Sequence, residues 1–108
     1  MESDYSYELT LVATLDYEDI MSYITDELCN PIAAADLADD MEEKLDELCT
    51  TPYMGALVGN PALLRQDIRF ITVKHYIIYY IPNANRQKIV VIRIGHFLQD
   101  QEKLLERY

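Results

Sequence analysis

The sequence predicts an α+β fold: an N-terminal strand, a helical hairpin, a three-stranded antiparallel meander and a short C-terminal helix, with the hairpin covering one face of the sheet. Three observations carry this prediction. Apolar and polar residues alternate at the start of the chain, apolar residues recur at steps of three and four between residues 17 and 49, and β-branched and aromatic runs return from residue 68 onward. Neither a sheet nor a pair of amphipathic helices can bury its apolar side alone, so the two patterns must pack on one another. With 108 residues, half of them hydrophobic, and only three glycines, residues 1–108 are expected to form a single domain.

Taken in order, Tyr5, Tyr7, Leu9, Leu11, Ala13 and Leu15 share one parity, and Ser6, Glu8, Thr10 and Thr14 share the other. This predicts a strand with one wet face, broken only by Val12. Asp16 stands where it can cap a helix over 17–28, with Ile20, Ile24 and Leu28 on its apolar side. Asn30-Pro31 is a second start signal, a capping side chain followed by a proline at the first helical position, where a missing N–H costs nothing. The helix it opens should reach about residue 49. Ala34, Leu37, Ala38, Met41, Leu45 and Leu48 form its inner face, and Asp36, Asp39, Asp40, Glu42, Glu43, Asp46 and Glu47 fill most of the remainder.

Residues 50–67 hold two prolines and two glycines and are expected to be an irregular connection. Strands follow over 68–74, 76–81 and 88–94, with 82–87 as the turn between the last two. In the final strand Val90, Ile92 and Ile94 share one parity, and Ile89, Val91 and Arg93 share the other, so Arg93 emerges from an apolar row. The tail 99–108 is expected to dock Leu104 and Leu105 as a short helix. Both sheet faces carry apolar residues, which leaves a surface able to accept another chain, a partner or a second copy in a homo-oligomer.

Cys29 and Cys49 lack a CxxC spacing or neighbouring histidines and read as reduced packing residues. The opening MESDYSYELT has no basic or apolar leader, and no run approaches the length of a membrane span, so a cytoplasmic protein with no membrane partner is expected. The net charge of −10 is unevenly distributed. Residues 1–62 carry fifteen acids and one base, Lys44, whereas residues 63–108 carry eight bases and four acids. Such a chain binds free nucleic acid poorly, because phosphate neutralisation supplies most of that affinity. Arg65, Arg69, Lys74, Arg86, Lys88 and Arg93 could still build a local positive patch, while the helical acids read as a solvated face attractive to a basic partner.

His75 and His96 are the only histidines, and no HExxH or CxxC accompanies them, so neither a metal nor another cofactor is expected. Ser3, Ser6 and Ser22 stand in no nucleophile elbow, and no glycine-rich phosphate loop occurs. Metal-free RNA cleavage needs a base, an acid and cations that stabilise phosphate charge. His75, His96, Arg69 and Arg93 are the catalytic candidates for it. Simpler structural roles compete: a hairpin turn for His75 and a strand end for His96. Arg65, Lys74, Tyr76, Tyr80, Phe97 and Leu98 are candidate partner contacts.

These same residues carry a family likeness. RFITVKHYIIYYI (69–81) and IVVIRIGHFLQDQEKLL (89–105) resemble the end of the RelE/ParE family of toxins from type II toxin-antitoxin modules. Arg69 matches the family's first arginine, 76–80 its aromatic strand, and Arg93, His96 and Asp100 its ending. The resemblance continues back through Gly55, Pro52, the helix opened by Asn30-Pro31 and the first strand. It implies a RelE/ParE toxin-like fold and a small toxin held inactive by a cognate antitoxin. The ParE-like branch poisons DNA gyrase, and the RelE-like branch cleaves messenger RNA on the ribosome without metal. Where the family carries a glycine and two arginines after the histidine, this chain has Phe97, Leu98 and Gln99, which removes two phosphate contacts. The leading expectation is therefore a toxin that binds a protein target, DNA gyrase. The alternatives are a ribosome-dependent mRNA endoribonuclease and a non-toxic relative that binds a partner protein.

Overall fold

The computed structural model describes residues 4–108; the start of MESDYSYELT, including Ser3, lies outside the described residues. Five strands form one sheet in the order β1-β5-β4-β3-β2. β3 (Arg69–Val73), β4 (Tyr76–Asn83) and β5 (Lys88–His96) are the expected antiparallel meander. β1 (Ser6–Leu9) joins the outer side of β5 in parallel, which its long helical crossover permits. A two-residue strand, β2 (Ala56–Leu57), extends the far edge from within the connection expected to be irregular.

The first helix, α1 (Leu11–Ser22), begins earlier than the expected Tyr17, and its cap is Thr10 rather than Asp16. Thr10 Oγ1 accepts the Ala13 N–H at 3.1 Å, and the Thr14 hydroxyl donates to the Thr10 carbonyl at 3.0 Å. Leu11 and Leu15 satisfy both a period of two and an i,i+4 step, so the pattern alone fits either element. The cap decides. The helix continues into a wider turn, Tyr23–Glu27, and Cys29 takes a left-handed φ of 50° as the chain reverses. Cys29 is therefore exposed rather than packed, and Cys49 is half-buried.

Asn30 and Pro31 behave as expected: Asn30 Oδ1 accepts the Ala33 N–H at 3.1 Å, and α2 (Pro31–Thr50) starts at the proline. It buries Ala34, Leu37, Met41, Leu45 and Leu48 against the sheet. The two helices contact each other mainly through their elbow and diverge beyond it.

One core lies beneath the hairpin, built from Ile71, Val73, Ile78, Tyr80, Ile89, Val91 and Ile94. A second covers the opposite face, where Ile68, Tyr79, Ile81 and Ile92 meet Leu104 and Leu105 around α3 (Gln101–Leu104). The docking of Leu104 and Leu105 was expected; the parity of β5 was not. Tyr79 pairs with Arg93 and Tyr80 with Val91, so Ile92 is the extra residue of a β-bulge. The bulge resets the alternation. Ile89, Val91 and Ile94 face the hairpin, while Val90 and Ile92 face away. Among the described residues no helix is long and apolar enough to cross a membrane.

Candidate functional site

The expected catalytic and contact residues do not form one constellation. Arg69 opens β3 opposite Tyr80. Its guanidinium donates to the carbonyls of Gly55 at 2.7 Å and Tyr53 at 3.3 Å and lies 5.1 Å from the Tyr53 ring centre. Tyr80 is fully buried; its hydroxyl donates to the Pro52 carbonyl at 3.0 Å and accepts the Gly55 N–H at 2.9 Å. Burial pushes this hydroxyl above the ordinary tyrosine range, against the opposing pull of the Gly55 hydrogen bond and the Arg69 charge. Tyr80, expected as a partner contact, is instead an internal clamp that, with Arg69, holds the segment after α2.

Arg93 also turns inward. Nε and Nη2 form a bidentate pair with Asp16 at 2.7 and 3.0 Å, and Nη1 donates to the Leu104 carbonyl at 3.1 Å. Asp16 Oδ2 additionally accepts the Ile94 N–H at 3.0 Å, replacing the ladder acceptor lost where β1 stops. One arginine therefore ties α1, β5 and α3 together. The hydrogen bonding of Arg93 to the Asp16 carboxylate drives the Arg93 pKa further up, burial opposes it, and the Asp16 charge adds to the rise.

The other predicted cations are similarly engaged. Arg65 is bound to Asp67 at 2.7 Å, Lys74 to Asp40 at 3.1 Å and Arg86 to Glu8 at 3.5 Å. Lys88 donates to the Ser6 hydroxyl at 2.9 Å. Of the six cations the sequence offered for a positive patch, Arg65, Lys74, Arg86 and Arg93 are thus paired with carboxylates, while Arg69 and Lys88 are bonded to neutral oxygens. Among the described residues, no group of three or more His, Cys, Asp or Glu side chains could hold a metal ion.

The structure does bring His75, Tyr76, His96 and Phe97 together at the end of the β4–β5 ladder. His96 stacks on Phe97 with ring centres 4.8 Å apart and meets the edge of Tyr76 at 5.3 Å; His75 lies 5.9 Å from Phe97 and 6.3 Å from His96. Backbone bonds fix this group. The Phe97 N–H reaches the His75 carbonyl at 3.0 Å, and the Leu98 N–H donates to His96 Nδ1 at 3.1 Å, which places the proton of a neutral ring on Nε2. Gln99, standing where the family carries an arginine, accepts the His96 N–H at 2.7 Å. Phe97 and Leu98 remain 55% and 77% exposed, so they are free to meet another molecule.

Sequence reasoning missed two members of this region. Asp16 was read only as a helix cap, and its pairing with Arg93 was missed because the two lie far apart in the chain. Tyr23, exposed on the elbow, gave none, because its proximity to Tyr76 depends on the path of the turn. Burial raises the Tyr76 pKa first, and Tyr23 adds a smaller upward push.

The framework that positions these groups coincides with a family match. Residues 7–101 match the model described as ParE toxin of type II toxin-antitoxin system, parDE. The chain belongs to this family. Among solved structures, the ParE-family chain is similar to one from the chromosomal ParDE TA system from P. aeruginosa, at TM-score 0.66 and 19% identity, covering 85% of this chain and 95% of that one. It is also similar to a chain of the RelBE2 toxin-antitoxin complex from Mycobacterium tuberculosis, at TM-score 0.60 and 14% identity over 86% and 98%. The isolated E. coli RelE toxin matches at TM-score 0.58 and 17% identity over 95% and 97%. Identities this low show a shared fold. No curated protein sequence matches the chain significantly.

Proposed function

We propose that the chain is the toxin of a type II toxin-antitoxin module, neutralised by a cognate antitoxin, and that it acts by binding a protein target, with DNA gyrase as the target implied by the ParE resemblance. One observation carries the choice of protein over RNA: the cations an RNA phosphate would need are engaged internally, while Phe97 and Leu98 stand exposed beside the histidine cluster. Phosphate affinity depends on available cations. Protein affinity depends on a few exposed apolar and aromatic anchors.

Inducible expression with and without the neighbouring gene is expected to give growth arrest that the neighbour relieves. Purified protein is expected to inhibit gyrase supercoiling. A Phe97→Ser/Leu98→Ser variant should fold normally, since both side chains are exposed, yet lose at least about tenfold in inhibition. Unchanged inhibition would remove this surface from the site. Message cleavage in a translating extract that disappears in His75→Ala or His96→Ala would replace the reading with ribosome-dependent RNA cleavage. Absence of growth arrest and inhibition would leave a non-toxic partner binder.

A further inference from the structure

We infer that the cavity between α1, α2 and the hairpin-facing side of the sheet binds a small amphipathic cation, an ammonium group carried on an apolar alkyl or aryl body. Neither Phe97 nor Leu98, the surface of the toxin reading, lines this cavity.

The cavity follows from the way the hairpin packs. α1 fully buries only Ala13, and it meets α2 mainly through the elbow. On the facing side of α2, the half-buried Ala38 presents only a methyl group. Small side chains on both helices therefore leave a space of about 330 Å³. The buried side chains of Met41, Leu45, Ile78 and Ile94 line it from α2 and the sheet. Apolar walls that face unfilled space forfeit dispersion contacts, which an apolar body of matching size would restore. The volume suits a small molecule, since such sites begin at about 300 Å³.

Charge decides which small molecule. Asp39 and Glu42 are exposed at the edge of the cavity, three residues apart and therefore neighbours on one face of α2. They are not matched from within. Lys74 pairs with Asp40 and Lys44 with Glu47, but among the described residues no cation bridges Asp39 or Glu42. Tyr7 and Tyr17 also line the cavity, and the face of an aromatic ring attracts an ammonium. The field of Glu42 reaches this wall: after burial and the charge of Asp46, it is the next cause holding the Tyr7 hydroxyl above its ordinary range. A cation on an apolar body would satisfy the walls and the carboxylates together. A neutral molecule would fill the space and leave the acids unmatched, and an anion would meet like charge.

The test uses the whole protein and three probes that share one apolar body: phenylbutylamine, phenylbutanol and phenylbutyrate. Titrations followed by amide NMR should show the amine binding at least about fivefold tighter than the alcohol at low salt, with the advantage shrinking as salt rises. The carboxylate probe should bind more weakly than the alcohol. Asp39→Asn/Glu42→Gln changes only exposed side chains and should erase the advantage of the amine while leaving the alcohol unaffected. Ala38→Leu places a larger side chain in the cavity and should weaken the amine and the alcohol alike. The exposed double variant stays decisive even where Ala38→Leu disturbs the fold. Equal binding of amine and alcohol, a carboxylate that binds as well as the amine, an amine preference unchanged in the double variant, undiminished binding in a folded Ala38→Leu protein, or no binding of the amine would each overturn the inference.

Discussion

Replacing Arg93 with alanine is expected to lower the unfolding free energy by about 3 kcal/mol, measured by urea denaturation, because it leaves Asp16 without its cation in a largely enclosed site. The Arg93 and Asp16 side chains are only 23% and 16% exposed, and the pair is bidentate. Solvent screening therefore leaves most of the interaction in place. Arg93→Lys should fall between the wild type and alanine, since a single ammonium cannot reproduce both bonds to Asp16 and the bond to the Leu104 carbonyl. Asp16→Ala should also destabilise, both by stranding the guanidinium and by freeing the Ile94 N–H. If the two residues work as a unit, Asp16→Ala/Arg93→Ala will cost less than the sum of the single changes.

The pH dependence follows from the direction of the arginine shift. Its folded pKa is raised, so the stabilisation is fully present below the free-arginine value and disappears only as pH rises through the still higher folded value. From the arginine side of the pair, the stability should therefore be flat through the neutral and moderately alkaline range. A catalytic Arg93 would produce a different result: loss of activity in Arg93→Lys without comparable loss of stability. Arg93, one of the four candidates for RNA cleavage, is thus a position whose stability effect should be measured before any activity assay is interpreted.

The same arginine illustrates what the sequence could disclose. Its place in an apolar row was legible, but its partner lies on α1 far along the chain, and nothing local to β5 points there. The Asn30-Pro31 start and the inner face of α2 were legible because capping and helical periodicity are local. The first helix was not, because Leu11 to Leu15 satisfies two periods at once and only the Thr10 cap separates them. The facing of β5 was misread because the bulge at Ile92 changes parity without a glycine or proline to announce it. At the site, the histidines were visible as residue types. Their assembly with Phe97 follows from β4–β5 register, and the engagement of Lys74 and Arg86 follows from acids on α2 and β1 that are distant in sequence, whereas Arg65 pairs locally with Asp67.

Gly55→Ala is expected to cost about 3 kcal/mol or more, again read from the urea midpoint at unchanged slope. Gly55 is buried, and a Cβ there would lie 2.6 Å from the Phe70 carbonyl oxygen, 2.7 Å from the Tyr80 hydroxyl and 3.0 Å from Ile71 Cγ2. The first of these is backbone in a paired strand, so it cannot swing aside as a flexible side-chain tip could. The glycine is required by close approach. Its N–H and carbonyl are also the points at which Tyr80 and Arg69 grip the segment after α2. Tyr80→Phe tests the hydrogen-bond component separately, because it leaves the ring in place but removes the acceptor for Gly55 and the donor to Pro52. A loss of about 2 kcal/mol is expected from these unsatisfied buried groups. If Tyr80→Phe were neutral while Gly55→Ala unfolded the protein, steric fit alone would hold the segment. If both were neutral, the segment would not be fixed by this clamp, and Arg69 would be free to act elsewhere.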